Sequence, residues 1–304
     1  MSRVYLDYAS TTPLDKRVLK AMKPFLMAGF DGGFCNASSL YKEGVFVSKK
    51  ILEARKSVAD IIGGHSDEIF FTSGGTESNN LAIMGMVRGI LAISNSNNVV
   101  DSSDLAKVKP HIVTSNIEHS SVLETCRALE NQGIVEVTYI SVSEDGLVDI
   151  GEIKKSIRPE TILISIMYVN NEVGTIQPIK DIAKLIRAER KNREEGLPIY
   201  FHTDASQAAL FCNLGVPQLG IDLMTLDASK IYGPKGSGVL FVHRNAQKNI
   251  LPIIYGGGQE NGLRSGTENP AAIVGFAEAL RIAISENSKE SLRILELRSY
   301  CLEK

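Results

Sequence analysis

The sequence has no tryptophan and only four cysteines, none of them in a C-x-x-C arrangement. Cys35, Cys126, Cys212 and Cys301 are scattered singly, which argues against a disulfide framework and against a zinc site, so no metal is expected. Each is therefore weighed as a lone thiol. Aromatic residues make up only 6% of the chain and do not interleave with any dense lysine and arginine block; the formal net charge of -2 leaves no basic footprint for nucleic acid. No run reaches the roughly 18 apolar residues of a membrane span, and the opening MSRVYLDYASTTP has no apolar leader core. These absences predict a cytoplasmic protein with neither nucleic acid nor membrane among its partners. At 304 residues, 43% of them hydrophobic, the chain can build one large core or a large domain with a smaller one.

What is present is an alternation of two periodicities. Apolar residues at helical spacing predict helices over Leu14–Met27, Val45–Ile62, Asn80–Ile93, Ser120–Gln132, Ile150–Ile157 and Ile179–Glu194, with a further amphipathic helix from Pro270. Short apolar runs predict strands at Glu68–Thr72, His111–Ser115, Val135–Ile140, Thr161–Val169, Ile199–His202, Asp222–Leu226 and Ser237–Val242. The glycine- and asparagine-rich stretch 30–39 and the serine and asparagine run 94–98 are expected to be loops. Strands alternating with helices predict an α/β fold, a mainly parallel sheet covered on both faces.

In such a sheet ligands sit outside the carboxyl ends of the strands, so the residues following each strand carry the functional reading. After EIFFT comes Ser73-Gly74-Gly75-Thr76, whose backbone N–H groups and threonine hydroxyl can cradle an anion, although a Gly-Gly before a threonine also makes an ordinary strand-to-helix turn. After HIVTS comes His119, a catalytic or a structural histidine at a helix start. Asn170, Asn171 and Glu172 follow the next strand, and Asp204 the one after; buried polar groups there must bind a ligand or one another. Asp222–Leu226 leads to Lys230, which is either a solvated turn lysine or an amine placed to react with a carbonyl. A lysine, a carboxylate, a histidine, an asparagine and a phosphate-type turn on one sheet edge are what pyridoxal 5'-phosphate requires: an amine for the Schiff base, an anion for the pyridine nitrogen, and a seat for the phosphate.

The chain resembles the cysteine desulfurases, of the class V aminotransferase group of fold-type I pyridoxal phosphate enzymes. The resemblance is carried in order by YLDYASTTP (5–13), FTSGGTESNNLAI (71–83), EHSSVLETCRALE (118–130), VNNEVGTIQPI (169–179), HTDASQ (202–207), KIYGPKGSG (230–238) and YGGGQENGLRSGTENP (255–270). It implies an N-terminal segment over 1–15, a pyridoxal phosphate-binding large domain over 16–268, and a helix over 269–304 leading into an incomplete small domain. It further implies that Lys230 forms the Schiff base and moves the Cα proton, that His119 stacks on the ring and takes part in catalysis, and that Asp204 partners the pyridine nitrogen. Asn171 and Gln207 are implied to bond the ring substituents, Gly75, Thr76 and Ser229 to serve the phosphate, and Thr267 to reach the phosphate of the other subunit of a homodimer. The implied reaction takes sulfur from L-cysteine to an acceptor thiol and leaves L-alanine.

The sequence departs from the family at two places. Where relatives read SGHK, this chain reads Asp227-Ala228-Ser229-Lys230, and Asp227 is expected to face away from the phosphate or to pair with a cation such as Arg264. The chain also stops at Lys304, before the family's small C-terminal domain with its persulfide cysteine, so a separate C-terminal part or a sulfur-acceptor protein is an expected partner. Of the four thiols only Cys35 occupies a rim-like loop, while Cys126 and Cys212 read as core packing and Cys301 lies in the tail. Two other readings stand beside the desulfurase: another class V aminotransferase or lyase, and a non-catalytic relative that serves as a partner or scaffold.

Overall fold

The computed structural model describes residues 4–28, 33–96, 109–193 and 197–304. The chain passes through α1 (Lys16–Met22), α2 (Lys42–Ile62), β1 (Ile69–Thr72), α3 (Gly75–Ser96), β2 (His111–Ser115), α4 (Ser120–Asn131), β3 (Glu136–Ile140) and α5 (Ile150–Ser156). It continues through β4 (Thr161–Ser165), α6 (Ile179–Asn192), β5 (Tyr200–Asp204), α7 (Val216–Leu219), β6 (Leu223–Asp227), β7 (Gly238–Val242), α8 (Arg244–Gln247) and α9 (Pro270–Glu303). The seven strands form one sheet in the order β1-β7-β6-β5-β4-β2-β3, parallel except that β7 runs against both its neighbours.

Strand side chains alternate between two cores, as the pleat requires. Phe71, Val113, Ile164, Phe201, Met224 and Phe241 face the core that holds α1, α2, α5, α6 and the first half of α9. Phe70, Ile112, Leu163, Tyr200, Leu223 and Leu240 face the other, closed by α3 and α4. Burial on both faces explains why these strands read as continuous apolar runs rather than alternating ones. On α2, Val47, Ile51, Ala54, Val58 and Ile62 make the buried stripe, and the helix stops at Gly63, whose φ of +70° suits glycine in a left-handed cap.

Several boundaries differ from the periodicity, each for a local reason. Helix α1 starts at Lys16 because Asp15 Oδ1 accepts the Arg17 N–H at 2.7 Å as an N-cap, and it tightens into a one-turn segment at Lys23–Phe25 around Pro24. Glu68 is not part of β1; its carboxylate accepts the His65 and Arg244 N–H groups at 2.8 and 2.9 Å. Helix α3 begins at Gly75, earlier than Asn80, and runs through 94–96 of the expected loop; positions 97 and 98 lie outside the described residues, as do 30–32 of the expected loop 30–39 and residue 194 at the end of the expected sixth helix. Along α9 the side chains from Ala271 to Ala283 are largely buried, whereas Leu292, Leu295 and Leu302 further on are exposed.

Candidate active site

The carboxyl ends of β2, β4, β5 and β6, together with the start of α3, open on one cavity of about 460 Å³. Its walls include Gly75, Thr76, His119, Asn171, Asp204, Gln207, Ser229 and Lys230, so eight of the nine residues singled out from the sequence meet there. Thr267 does not: it is exposed and outside the lining.

Lys230 is set by the end of β6. Asp227 Oδ1 accepts the Ser229 N–H at 2.7 Å, which starts the single 3-10 turn Ala228–Lys230. The N-terminal segment crosses over this turn: Thr12 N–H donates to the Ser229 carbonyl at 2.8 Å, and the Tyr232 N–H donates to Thr12 Oγ1 at 2.7 Å. The lysine ammonium donates to the Ala9 and Ser10 carbonyls at 2.9 and 2.6 Å, and Gln207 Nε2 to Ala9 at 2.8 Å. YLDYASTTP therefore supplies backbone acceptors to the lysine, a role its side chains do not announce.

Asp204 closes β5 and is nearly buried, with only 8% of its surface exposed. A carboxylate there needs donors, and it has two: the Ser206 N–H on Oδ1 at 3.0 Å and Asn79 Nδ2 on Oδ2 at 2.7 Å. Asn79 Nδ2 also donates to Ser121 Oγ at 2.8 Å, and that hydroxyl lies 2.8 Å from His119 Nδ1. Because His119 Nδ1 accepts the Ser121 N–H at 3.1 Å, the neutral ring carries its proton on Nε2. Asn79 and Ser121 thus link the carboxylate to the histidine. The sequence had shown Asn79 only as one residue of a motif; its position one helical turn after Gly75, facing the sheet, is the signal that would have found it.

Behind His119 lies Glu118, fully enclosed and pushed up to about 8 by burial. Oε1 accepts Ser115 Oγ at 2.6 Å and the Met167 N–H at 2.9 Å, while Oε2 has no partner. An acid whose folded pKa lies above its ordinary value of 4.5 binds its proton more tightly in the native state, so the stability it lends is complete below 4.5 and is lost as pH rises through about 8. Glu118→Gln, which holds the neutral shape permanently, is therefore expected to gain stability relative to the wild type as pH rises over that interval. Urea midpoints of the two proteins at pH 5 and pH 8 check this; a constant difference counts against a neutral Glu118.

The start of α3 has the form of an anion seat. Gly74 spans the turn with φ of +144°, open to glycine alone among ordinary residues. A Cβ on Gly75 would lie 3.1 Å from Ser206 Oγ, a buried hydroxyl with no hydrogen-bond partner. Here the structure corrects an expectation: Asp227 neither faces away nor pairs with Arg264. Its Oδ2 accepts the Gly75 N–H at 2.9 Å, because β6 ends level with the start of α3. Arg264 instead pairs with Glu77 at 2.7 Å, and with the N–H of Ser73 this holds Glu77 below the ordinary carboxylate range against the opposing effect of its burial.

Among the described residues no cysteine lines the cavity. Cys126 is buried in α4 and pushed up to about 12 by burial, Cys212 is raised by the same cause, and Cys301 is exposed near the end of α9. Cys35 is half-buried against the α2 side of the core rather than at the rim of this cavity. The described residues contain no cluster suited to a metal ion, and no described helix is long and apolar enough to cross a membrane.

The family model described as aminotransferase class-V matches residues 4–303. The chain belongs to that family. Its relatives within the class V aminotransferases include cysteine desulfurases: it is 46% identical over 297 residues to cysteine desulfurase IscS of Dictyoglomus turgidum, covering 98% of this chain and 68% of the relative. To the mitochondrial cysteine desulfurase of Arthroderma benhamiae it is 44% identical over 294 residues, 97% of this chain and 54% of that protein. Among solved structures it superposes on a NifS-like protein with a TM-score of 0.88 at 35% identity, covering 99% of this chain and 75% of the other. On SspA in complex with cysteine the TM-score is 0.80 at 39% identity, covering 92% of this chain and 72% of the other. The chain thus spans about half to two thirds of the length of these curated relatives. Class V aminotransferases of the cysteine desulfurase type use pyridoxal 5'-phosphate, and the unpartnered Ser206 hydroxyl beside the helix start, with a lysine and a fixed carboxylate in the same cavity, suits that molecule.

Proposed function

We propose that this chain is the cofactor-binding part of a cysteine desulfurase, moving sulfur from L-cysteine to an acceptor thiol. One observation carries the reading: the Lys230 amine, the Asp204 carboxylate and the start of α3 face a single cavity. The large domain assigned to 16–268 supplies most of this cavity, the N-terminal segment assigned to 1–15 meets the lysine through the Ala9 and Ser10 carbonyls, and 269–304 is assigned as the lead into a small domain.

When bound, pyridoxal 5'-phosphate supplies an electron sink for the substrate's Cα. Asp204, fixed by Asn79 and the Ser206 N–H, is the anion assigned to the pyridine nitrogen. His119 offers its ring as a stacking face, with its proton on Nε2, and Asn171 and Gln207 are assigned the polar edges of the cofactor. Gly75, Thr76 and Ser229 serve the phosphate, and Lys230 holds the cofactor through its amine and moves the proton at the substrate Cα. Sulfur transfer balances when a second thiol attacks the substrate sulfur: cysteine and R–SH become alanine and R–S–SH. Since no described cysteine lines the cavity, that thiol is assigned to a separate C-terminal part or to an acceptor protein, in keeping with a place in iron-sulfur cluster assembly.

We assign the chain to a homodimer in which Thr267, on an exposed loop, reaches the partner's phosphate site. Its four unpaired cysteines are consistent with a reducing, cytoplasmic compartment. Alanine and sulfide release from L-cysteine, measured with and without an added desulfurase C-terminal domain, tests the assignment. Release that depends on the added domain is the expected result; bound cofactor with no alanine released under either condition overturns the desulfurase reading in favour of another class V reaction.

A further inference from the structure

We propose that Asp227 is a built-in occupant of the anion seat at the start of α3, so that a phosphorylated cofactor binds by displacing the chain's own carboxylate. Asp227 then sets how strongly the site prefers a phosphorylated ring to an unphosphorylated one. The inference rests on the assignment of this cavity to pyridoxal 5'-phosphate.

Three observations meet at one point. The Gly75 N–H, the first donor of α3, is directed at Asp227 Oδ2 at 2.9 Å, and the Ser229 N–H at Oδ1 at 2.7 Å. Ser206 Oγ, buried and unpartnered, lies on the same side of Gly75: the position of a Cβ on that glycine is 3.1 Å from the hydroxyl and 3.2 Å from Asp227 Oδ2. The seat therefore has its Gly75 and Ser229 N–H groups engaged by an internal anion and the buried Ser206 hydroxyl still unused. Helix starts favour anions through their free N–H groups and dipole, and a side-chain carboxylate benefits as a phosphate does.

The charges around the seat sharpen the conflict. No cation pairs with Asp227 among the described residues: Arg264 is engaged by Glu77, and Lys230 donates to the Ala9 and Ser10 carbonyls. Among the described residues the cavity wall carries Asp7, Glu172, Asp204 and Asp227 against the single ammonium of Lys230. A phosphate monoester brings about 1.5 to 2 negative charges at neutral pH. It cannot share the Gly75 and Ser229 donors with an ionised carboxylate, so one of the two anions leaves the seat. In the cofactor-free chain Asp227 holds it and caps α3; with the phosphate in place, Asp227 is displaced and its cap is lost. Phosphate affinity is thereby lowered by the work of expelling Asp227, whereas a ring without phosphate meets no such competition.

The test uses cofactor-stripped wild type, Asp227→Asn and Asp227→Ser, titrated by equilibrium dialysis with pyridoxal 5'-phosphate, with pyridoxal and with inorganic phosphate. Asp227→Asn is nearly isosteric and keeps an acceptor for Gly75, which guards against a folding failure of the serine variant. Both variants are expected to bind pyridoxal 5'-phosphate at least about tenfold more tightly than the wild type, the scale of removing one like-charge contact. Inorganic phosphate is expected to follow the same direction, and pyridoxal to be unchanged. A lower melting temperature of the stripped variants, with no change in the ratio of phosphorylated to unphosphorylated affinity, would mean that Asp227 only caps the helix, and overturns the proposal. Equal or weaker phosphate binding in both variants overturns it as well. If none of the three proteins binds either form of the cofactor, the assignment of the cavity falls, yet tighter inorganic phosphate binding in the variants still supports the competition at the seat, and unchanged phosphate binding refutes it.

Discussion

Lys230→Ala is expected to abolish the visible absorbance of lysine-bound pyridoxal 5'-phosphate in the purified protein and, with it, alanine release from L-cysteine. Among the described residues it is the only amine on the cavity wall, and the functions assigned to it, holding the cofactor and moving the Cα proton, are both lost in the variant. Loss of the proton transfer alone is worth about 10² to 10⁴ in rate. Lys230→Arg is expected to fail equally, since a guanidinium stays protonated and cannot act as the nucleophile. A second readout follows from the contacts of the ammonium. Without its bonds to Ala9 and Ser10, the segment before Thr12 loses an anchor, and faster amide exchange is expected there while Thr12 keeps its bonds to the Ser229 carbonyl. Wild-type absorbance in Lys230→Ala would remove the assignment of this lysine.

The largest expected loss of stability lies elsewhere, at Glu260→Ala. Glu260 is buried and takes both arms of the Arg55 guanidinium, 2.6 Å on each oxygen, and Oε2 also accepts the Phe71 N–H at 2.8 Å. The side chains of this pair are 12% and 3% exposed, so truncating the acid leaves an unpaired charge in a site with little water. Breaking a buried pair from one side costs about 3–5 kcal/mol. Arg55 also packs over the Phe71 ring at 4.9 Å, which ties the guanidinium to β1. Replacing both partners by apolar residues is expected to recover only part of the loss, because the Phe71 N–H stays without its acceptor. Glu260 and Asn261 hold φ of +49° and +54°, a left-handed turn of two non-glycine residues, and the Glu260 carboxylate that anchors it is held by Arg55 and the Phe71 N–H. Chemical denaturation of the two single variants and the double variant measures the effect. A loss under about 1 kcal/mol in Glu260→Ala would show that the pair contributes little.

The residues legible in the sequence and those that were not divide along one line. Lys230, Asp204 and His119 could be found because each directly follows an apolar strand run, and the carboxyl ends of parallel strands share one edge of the sheet. Gly75 and Thr76 were visible for the same reason. Asp227 was visible as an unusual residue, but its direction was not: β6 and β1 are separated in the sheet by β7, which is later than both in sequence, and Gly75 lies 152 positions before its acceptor. Arg264 was paired with the wrong acid, since its partner Glu77 lies on the same helix start 187 positions earlier in the chain. The Arg55 and Glu260 pair, 205 positions apart, left no trace in periodicity at all. Glu118 carried no reading of its own beyond the motif EHSSVLETCRALE, and only its enclosure between β2 and the chain after β4 makes it a neutral acid.

By itself the sequence determined the α/β alternation, the sheet edge on which the chemistry is placed, and the order of motifs that the class V family shares. Those are consequences of local periodicity and turn chemistry, which depend on residues a few positions apart. The tertiary structure decided which charges meet: that Asn79 joins Asp204 to Ser121, that the Ala9 and Ser10 carbonyls hold Lys230, and that Asp227 sits in the seat at the start of α3. Pairing of polar groups is set by distances of about 3 Å across a packed interior, and those distances exist only once the strand order has brought distant parts of the chain together.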